Sequence, residues 1–374
     1  MAENRLGALD TLRGVAVAGM ILVDSPGSWS DIYPQLKHAG WHGWTLADMV
    51  FPGFLVAMGM AAMLSLETRL ASGRPRRAIF GQVLVRAAVL TAIGLVLNGF
   101  PDFDLAHLRI PGILQRIALC YVAASAIVLV TSGKGRAIAV TAAALLVAYW
   151  ALLAFVPVPG FGAGRFDSLG SWPAFVDRHV FTVAHLWVWG TTDPYGVTYD
   201  PEGLLSTVPA VATTLIGVLC AQWIGRAELR SRWFAAIALA GIALLAAGLA
   251  LDPLVPIVKK IWTPSFALLS GGFVLLVFAG VGLAEDVLGA RRWTAPFRVL
   301  GANAILAFAL CQLADVACDR PLLAAGPLRN LGFGAIQRVV PDAKAASLVF
   351  ALATLAAFVL LLLPLYRRRI FLRV

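Results

Sequence analysis

The chain has 374 residues, 60% of them hydrophobic and only 13% charged, and its mean hydropathy of +0.84 lies far from the balance of water-soluble domains. That composition excludes a disordered chain and an ordinary soluble domain. A net charge of +10 would suggest nucleic acid in a soluble protein. In a chain this apolar it reports arginines in loops that face anionic lipid, so no nucleic-acid partner is expected.

Apolar runs of membrane-spanning length fall at 8–24, 45–66, 79–99, 111–131, 136–156, 205–224, 234–251, 262–284, 298–318 and 346–366. They predict an all-α, polytopic integral membrane bundle of about ten helices, forming a single domain over 1–374. The first run reads as a helix rather than a signal peptide, because Asp10 and Arg13 interrupt its start and no small-residue cleavage site follows Val23. Lys and Arg gather at the two ends and in the even-numbered loops, which predicts that both termini are cytoplasmic. The fifth loop, 157–204, is then extracytoplasmic, and it is far longer than an ordinary connection. Its Leu186-Trp187-Val188-Trp189 segment reads either as part of a functional lid or as an interfacial anchor. Cys120, Cys220, Cys311 and Cys318 are scattered through apolar runs and read as small core residues.

Ionisable groups inside spans cost on the order of 3 kcal/mol each, so they face a partner or a cavity. Four clusters stand out. In the first, Thr45 caps the second helix and Asp48, three residues on, completes a capping box. His38 and His42 just before it read either as loop imidazoles bound to backbone or as a general base that a carboxylate orients. Their spacing would suit zinc on a helix, but they precede the helix without an evident third ligand, so no metal is expected.

The second cluster is Arg109 to Arg116, with Pro111 at the first helical position and Arg116 more than a turn inside the apolar run. A guanidinium there needs an anionic or carbonyl partner, and Asp102, Asp104 and Asp48 are structural candidates. In the third, Asp200 and Glu202 either cap the sixth helix or bind a cationic or hydroxyl-rich acceptor. The fourth comprises Asp10, Arg13 and Gly14 with Gly301 and Asn303, where Arg13 either follows the positive-inside rule or meets a phosphate.

Six stretches carry a resemblance: LDTLRG (9–14), KHAGWHGWTLADMVFPGF (37–54), RIPGILQRI (109–117), YDPEGLLST (199–207), KKIWTPSF (259–266) and LGANAIL (300–306). Their content and order are similar to the heparan-α-glucosaminide N-acetyltransferase family of transmembrane acyltransferases. The pattern departs at Asp24 and at His42, where the family resemblance leads one to expect Asn.

The resemblance implies that cytosolic acetyl-CoA donates its acetyl group to the amine of a glucosamine-type sugar on the extracytoplasmic side. It implies His38 as base or acyl carrier, with Asp48 or Asp24 holding the imidazole. His42, Arg109, Gln115, Arg116, Asp200 and Glu202 are then acceptor or oxyanion residues, and Asp10, Arg13 and Asn303 hold the coenzyme. Acetyl-CoA enters as co-substrate; membrane lipid, a glycan acceptor and a homodimer are the expected partners, in a bacterial inner membrane. A sugar or glycolipid transporter and an O-acyltransferase of envelope glycan are the alternatives.

Overall fold

The computed structural model describes residues 7–223, 230–320 and 326–371. Thirteen α-helices follow one another among them: α1 (Gly7–Asp24), α2 (Val50–Ala71), α3 (Arg76–Gly99), α4 (Ile113–Val130), α5 (Gly135–Phe155), α6 (Trp172–Val180), α7 (Thr207–Trp223), α8 (Arg230–Leu251), α9 (Pro264–Gly282), α10 (Ala295–Ala302), α11 (Ala304–Asp319), α12 (Leu328–Gln337) and α13 (Ala343–Arg367). A two-residue hairpin pairs β1 (Thr191–Thr192) with β2 (Gly196–Val197).

The protein is an all-α polytopic membrane protein. Seven helical segments among the described residues are long and apolar enough to cross a membrane, and eight if α10 and α11, bent by 86° at their junction, count as one. The ten runs read from sequence exceed this because α1 carries Asp10, Arg13 and Asp24, and α7 has only 17 residues.

Two compact units divide the chain. The first comprises the described parts of 1–39, 44–53 and 280–373, and the second the described parts of 40–43 and 54–279.

In the first unit α1 packs on α10, α11 and α13. Two glycines allow the closest crossing: a Cβ at Gly14 would collide with the Phe297 carbonyl oxygen, and one at Gly301 with the Asp10 carbonyl oxygen. Small residues at such crossings let helix backbones approach where the bilayer supplies no hydrophobic drive. Glu285 is buried beside them, accepting from Thr11 Oγ1 at 2.7 Å and pairing with Arg298 at 2.5 Å. The break between α10 and α11 falls at Asn303, whose Nδ2 donates to the Ile370 carbonyl at 3.1 Å.

In the second unit α3 packs on α4, and α7 on α4 and α5. Gly59 and Gly217 bring α2 and α7 into backbone contact at Thr214 and Val56. The segment between α5 and α7 is ordered by its own polar groups. Asp167 accepts from the Leu169 and Gly170 amides at 3.1 and 2.7 Å, and Arg178 donates to the Leu169 and Thr198 carbonyls at 2.8 and 2.7 Å.

Candidate active site

In the first unit, the turn before α2 is a short 3₁₀ segment, Leu46–Met49, that opens after Thr45. The capping box read from sequence is present, and it uses one oxygen of Asp48. Oδ2 accepts from the Thr45 amide at 3.0 Å, the Thr45 hydroxyl at 3.1 Å and the Ala39 amide at 3.2 Å. Oδ1 meets His38 Nδ1 at 2.9 Å. Asp48 is fully buried while the His38 ring is 43% exposed. With Nδ1–H donated to the carboxylate, the basic lone pair of the imidazole lies on Nε2. One side chain therefore both caps the turn and lies within hydrogen-bond distance of the His38 ring.

Asp24 closes α1, half-buried, next to the buried Ser25. Ser25 Oγ donates to Asp315 at 2.8 Å, and Arg329 pairs with Asp315 at 3.1 Å and with Asp319. Arg329 also donates to the Pro26 carbonyl at 2.6 Å, so it clamps the end of α1. Sequence reasoning missed Asp315, Asp319, Arg329 and Glu285. The available signal was a carboxylate inside an apolar run at Asp315, and one directly after the run 262–284 at Glu285. Asp10 and Arg13 pair with each other at 3.4 Å on α1.

The second unit holds Arg109 and the two carboxylates of the 199–203 segment. Nε reaches Asp200 Oδ2 at 2.9 Å, while Nη2 reaches Asp200 Oδ1 at 2.7 Å and Glu202 Oε2 at 2.6 Å. Burial lowers the Arg109 pKa, but Asp200 and Glu202 more than offset it and hold the guanidinium above its ordinary value. Asp200 Oδ2 also accepts from the Trp187 amide at 2.9 Å, and the Trp187 ring lies 5.9 Å from the guanidinium. Asp200 and Glu202 thus hold Arg109 rather than cap α7. The Trp187-Val188-Trp189 segment divides its roles, because Trp187 joins this group while Trp189 is 73% exposed.

Arg116 is fully buried in the first turn of α4. Its partners are the Gly203 carbonyl at 3.0 Å and Ser206 Oγ, with the Trp262 ring 5.3 Å away, and not the aspartates weighed from sequence. Asp104 instead pairs with His107 at 2.7 Å. Arg116 Nε and Nη1 and both amide atoms of Gln115 are buried without a hydrogen-bond partner among the described residues. So is Oδ2 of Asp177, a fully buried carboxylate on α6 that sequence reasoning missed, whose Oδ1 accepts from the Leu204 amide at 2.8 Å. Unpaired buried polar groups are costly, and they cluster where a ligand or water completes them. Nearby, Trp41 and Tyr199 meet edge to face at 4.9 Å, and Lys260 Nζ lies 5.8 and 5.5 Å from their rings. His42 is exposed.

Residues 5–249 match the family described as heparan-alpha-glucosaminide N-acetyltransferase, catalytic. The chain belongs to this family. The match includes His38, Asp48, Arg109, Arg116, Asp200 and Glu202, and ends before Asn303. A mouse protein named heparan-alpha-glucosaminide N-acetyltransferase is 28% identical in an alignment 358 positions long that covers 82% of this chain and 53% of the relative. The human protein of that name is 27% identical in an alignment 355 positions long that covers 81% of this chain and 52% of the relative. The chain spans about half the length of these curated relatives.

Proposed function

We propose that the chain is a transmembrane acetyltransferase that moves an acetyl group from acetyl-CoA to the amine of a glucosamine-type sugar across the membrane, a bacterial inner membrane in the reading from sequence. The observation that carries this is the 2.9 Å contact between His38 Nδ1 and Asp48 Oδ1, in a chain of an N-acetyltransferase family. A neutral imidazole is suited to proton transfer near pH 7, and a buried carboxylate at Nδ1 both fixes the tautomer and stabilises the imidazolium.

In the proposed reaction His38 Nε2 takes a proton from the acceptor amine as its nitrogen attacks the thioester carbonyl. The new C–N bond forms, the C–S bond breaks, and the coenzyme thiolate recovers the proton. Asp10, Arg13 and Asn303 are proposed to hold the nucleotide end of acetyl-CoA. Asn303 would do so from a corner already fixed by its bond to Ile370. In the second unit, the unpaired nitrogens of Arg116 and the amide of Gln115 are donors of the kind a sugar hydroxyl or a developing oxyanion needs. His42, Arg109, Asp200 and Glu202 are carried as acceptor residues in the same reading.

The test is purified protein in sealed proteoliposomes, with labelled acetyl-CoA on one side and glucosamine on the other. N-acetylglucosamine formed with no ion gradient supports the proposal. Sugar uptake without product identifies a transporter instead.

A further inference from the structure

The second unit holds a cavity of about 750 Å³ lined by α5, α7, α8 and α9 and open on one side, within the size range of small-molecule sites. Its lining is apolar throughout, from Ala139 and Trp223 towards one end to Leu254 and Pro264 at the other. Along α7 the lining runs from Ala212 to Trp223, a rise of about 16 Å and so about half the hydrocarbon core of a bilayer. A polar ligand would find no partner there, whereas a hydrocarbon chain needs none. Three of the four helices are of spanning length, so the cavity lies at the depth of lipid chains.

The Pro264 end matters most. It follows directly on Lys259-Lys260-Ile261-Trp262-Thr263. Trp262 backs the incompletely paired Arg116, and Lys260 lies against Trp41 and Tyr199, the residue before Asp200. Tyr149 of α5 donates to the Ile261 carbonyl at 2.5 Å and fixes this segment. One short stretch of chain therefore joins the Pro264 end of an apolar cavity to the group proposed to meet the acceptor.

We propose that this cavity takes the hydrocarbon tail of the acceptor, so that the acceptor is a membrane lipid carrying an amino sugar. The inference rests on the acetyltransferase reading above and names its substrate class. Bilayer chains surround the cavity in any case, so the tail supplies placement and the sugar supplies selection. A tail seated between α5 and α9 leaves its head at the Trp262 end, beside Arg116 and the Trp41–Tyr199 pair.

The test compares methyl, octyl and hexadecyl glucosaminides in nanodiscs of one phospholipid composition, using the unaltered chain and the double variant Ala143→Phe/Ala243→Phe. Both alanines line the cavity and present exposed surface. The hexadecyl KM should rise about tenfold in the double variant, through loss of the tethered local concentration, while methyl glucosaminide kinetics stay equal. A hexadecyl glucosaminide bearing a diazirine on its chain should label α5, α7, α8 and α9 of the unaltered protein, and plain phospholipid of the same chain length should compete poorly. Equal KM ratios for methyl and hexadecyl acceptors overturn the inference. So does labelling outside these helices, or labelling that plain phospholipid competes equally well, which marks a general lipid site. Acetylation of no glucosaminide at all sinks the enzymatic reading instead, and the labelling still decides the cavity.

Discussion

The guanidinium of Arg109 and the carboxylate of Asp200 face each other edge to edge, with Nε to Oδ2 at 2.9 Å and Nη2 to Oδ1 at 2.7 Å. Only a planar fork can make both contacts, and lysine cannot replace it. Ninety-one residues separate the two, so the pair ties the entrance of α4 to the end of the long loop. Arg109→Ala leaves a buried Asp200 uncompensated and should cost about 2–4 kcal/mol, a little below the usual penalty for breaking a buried pair because Arg109 is partly exposed. Asp200→Ala in the same background should cost much less than in the unaltered chain. Thermal unfolding of the four proteins in detergent measures the coupling, and strict additivity would contradict it.

Asp48 serves two structures at once, so its variants should separate them. Asp48→Asn keeps an oxygen able to cap the turn but disturbs the acceptor at His38 Nδ1. Stability should fall by about 1 kcal/mol, as for a weakened cap. Acetyl transfer should fall by about two to four orders of magnitude, as when the carboxylate orienting a catalytic histidine becomes an amide. Measuring thermal midpoint and turnover on the same preparation checks the split. Parallel small losses in both would leave Asp48 as a cap alone.

Asp177 should make stability depend on pH. Burial, aided by the charge of Asp200, raises its pKa from 3.8 to about 7, against the Leu204 amide, Arg116 and Arg178. The folded chain then holds this proton over a range where the unfolded chain has released it. The contribution is complete below 3.8 and lost as pH rises through about 7. Asp177→Asn should therefore flatten the fall of the thermal midpoint between those two values. An unchanged slope would show that Asp177 is ionised throughout.

The crossing of α1 and α10 predicts a contrast between glycines. Gly14→Val drives a branched side chain into the Phe297 carbonyl and should cost about 3 kcal/mol or more, since neither backbone can move aside. Gly81→Ala, on α3 with nothing within 4 Å of the added carbon, should be neutral or stabilising by up to about 1 kcal/mol. The fraction of monodisperse protein and the thermal midpoint report both. Equal behaviour of the two variants would contradict the close crossing.

Much of this architecture was legible from apolar run length, because a helix in lipid must satisfy its own backbone and so must be long and continuous. The runs at 79–99 and 136–156 match α3 and α5 within three residues. At α2 the apolar run stops at 66, yet the helix continues through Glu67, Thr68 and Arg69 to Ala71, where polarity changes but helical propensity does not. The run at 298–318 reads as one straight span. Its bend falls at Asn303, whose amide bonds to Ile370 67 residues away, a contact that no local pattern records. The same holds for the site. Thr45 and Asp48 are three residues apart and could be paired from sequence, and so could His38 with Asp48. Arg116 was recognised as needing a partner, but Gly203 and Ser206 lie far along the chain and offer a carbonyl and a hydroxyl that carry no charge to notice.

In the proposed reaction the imidazole held by Asp48 moves the proton in acetyl transfer. The most direct measurement is the turnover of His38→Ala in nanodiscs with acetyl-CoA and glucosamine, beside its thermal midpoint. Turnover should be lower by about two to four orders of magnitude, the range of a lost general base, with the midpoint nearly unchanged because the ring is half-exposed. Turnover equal to that of the unaltered protein would contradict it.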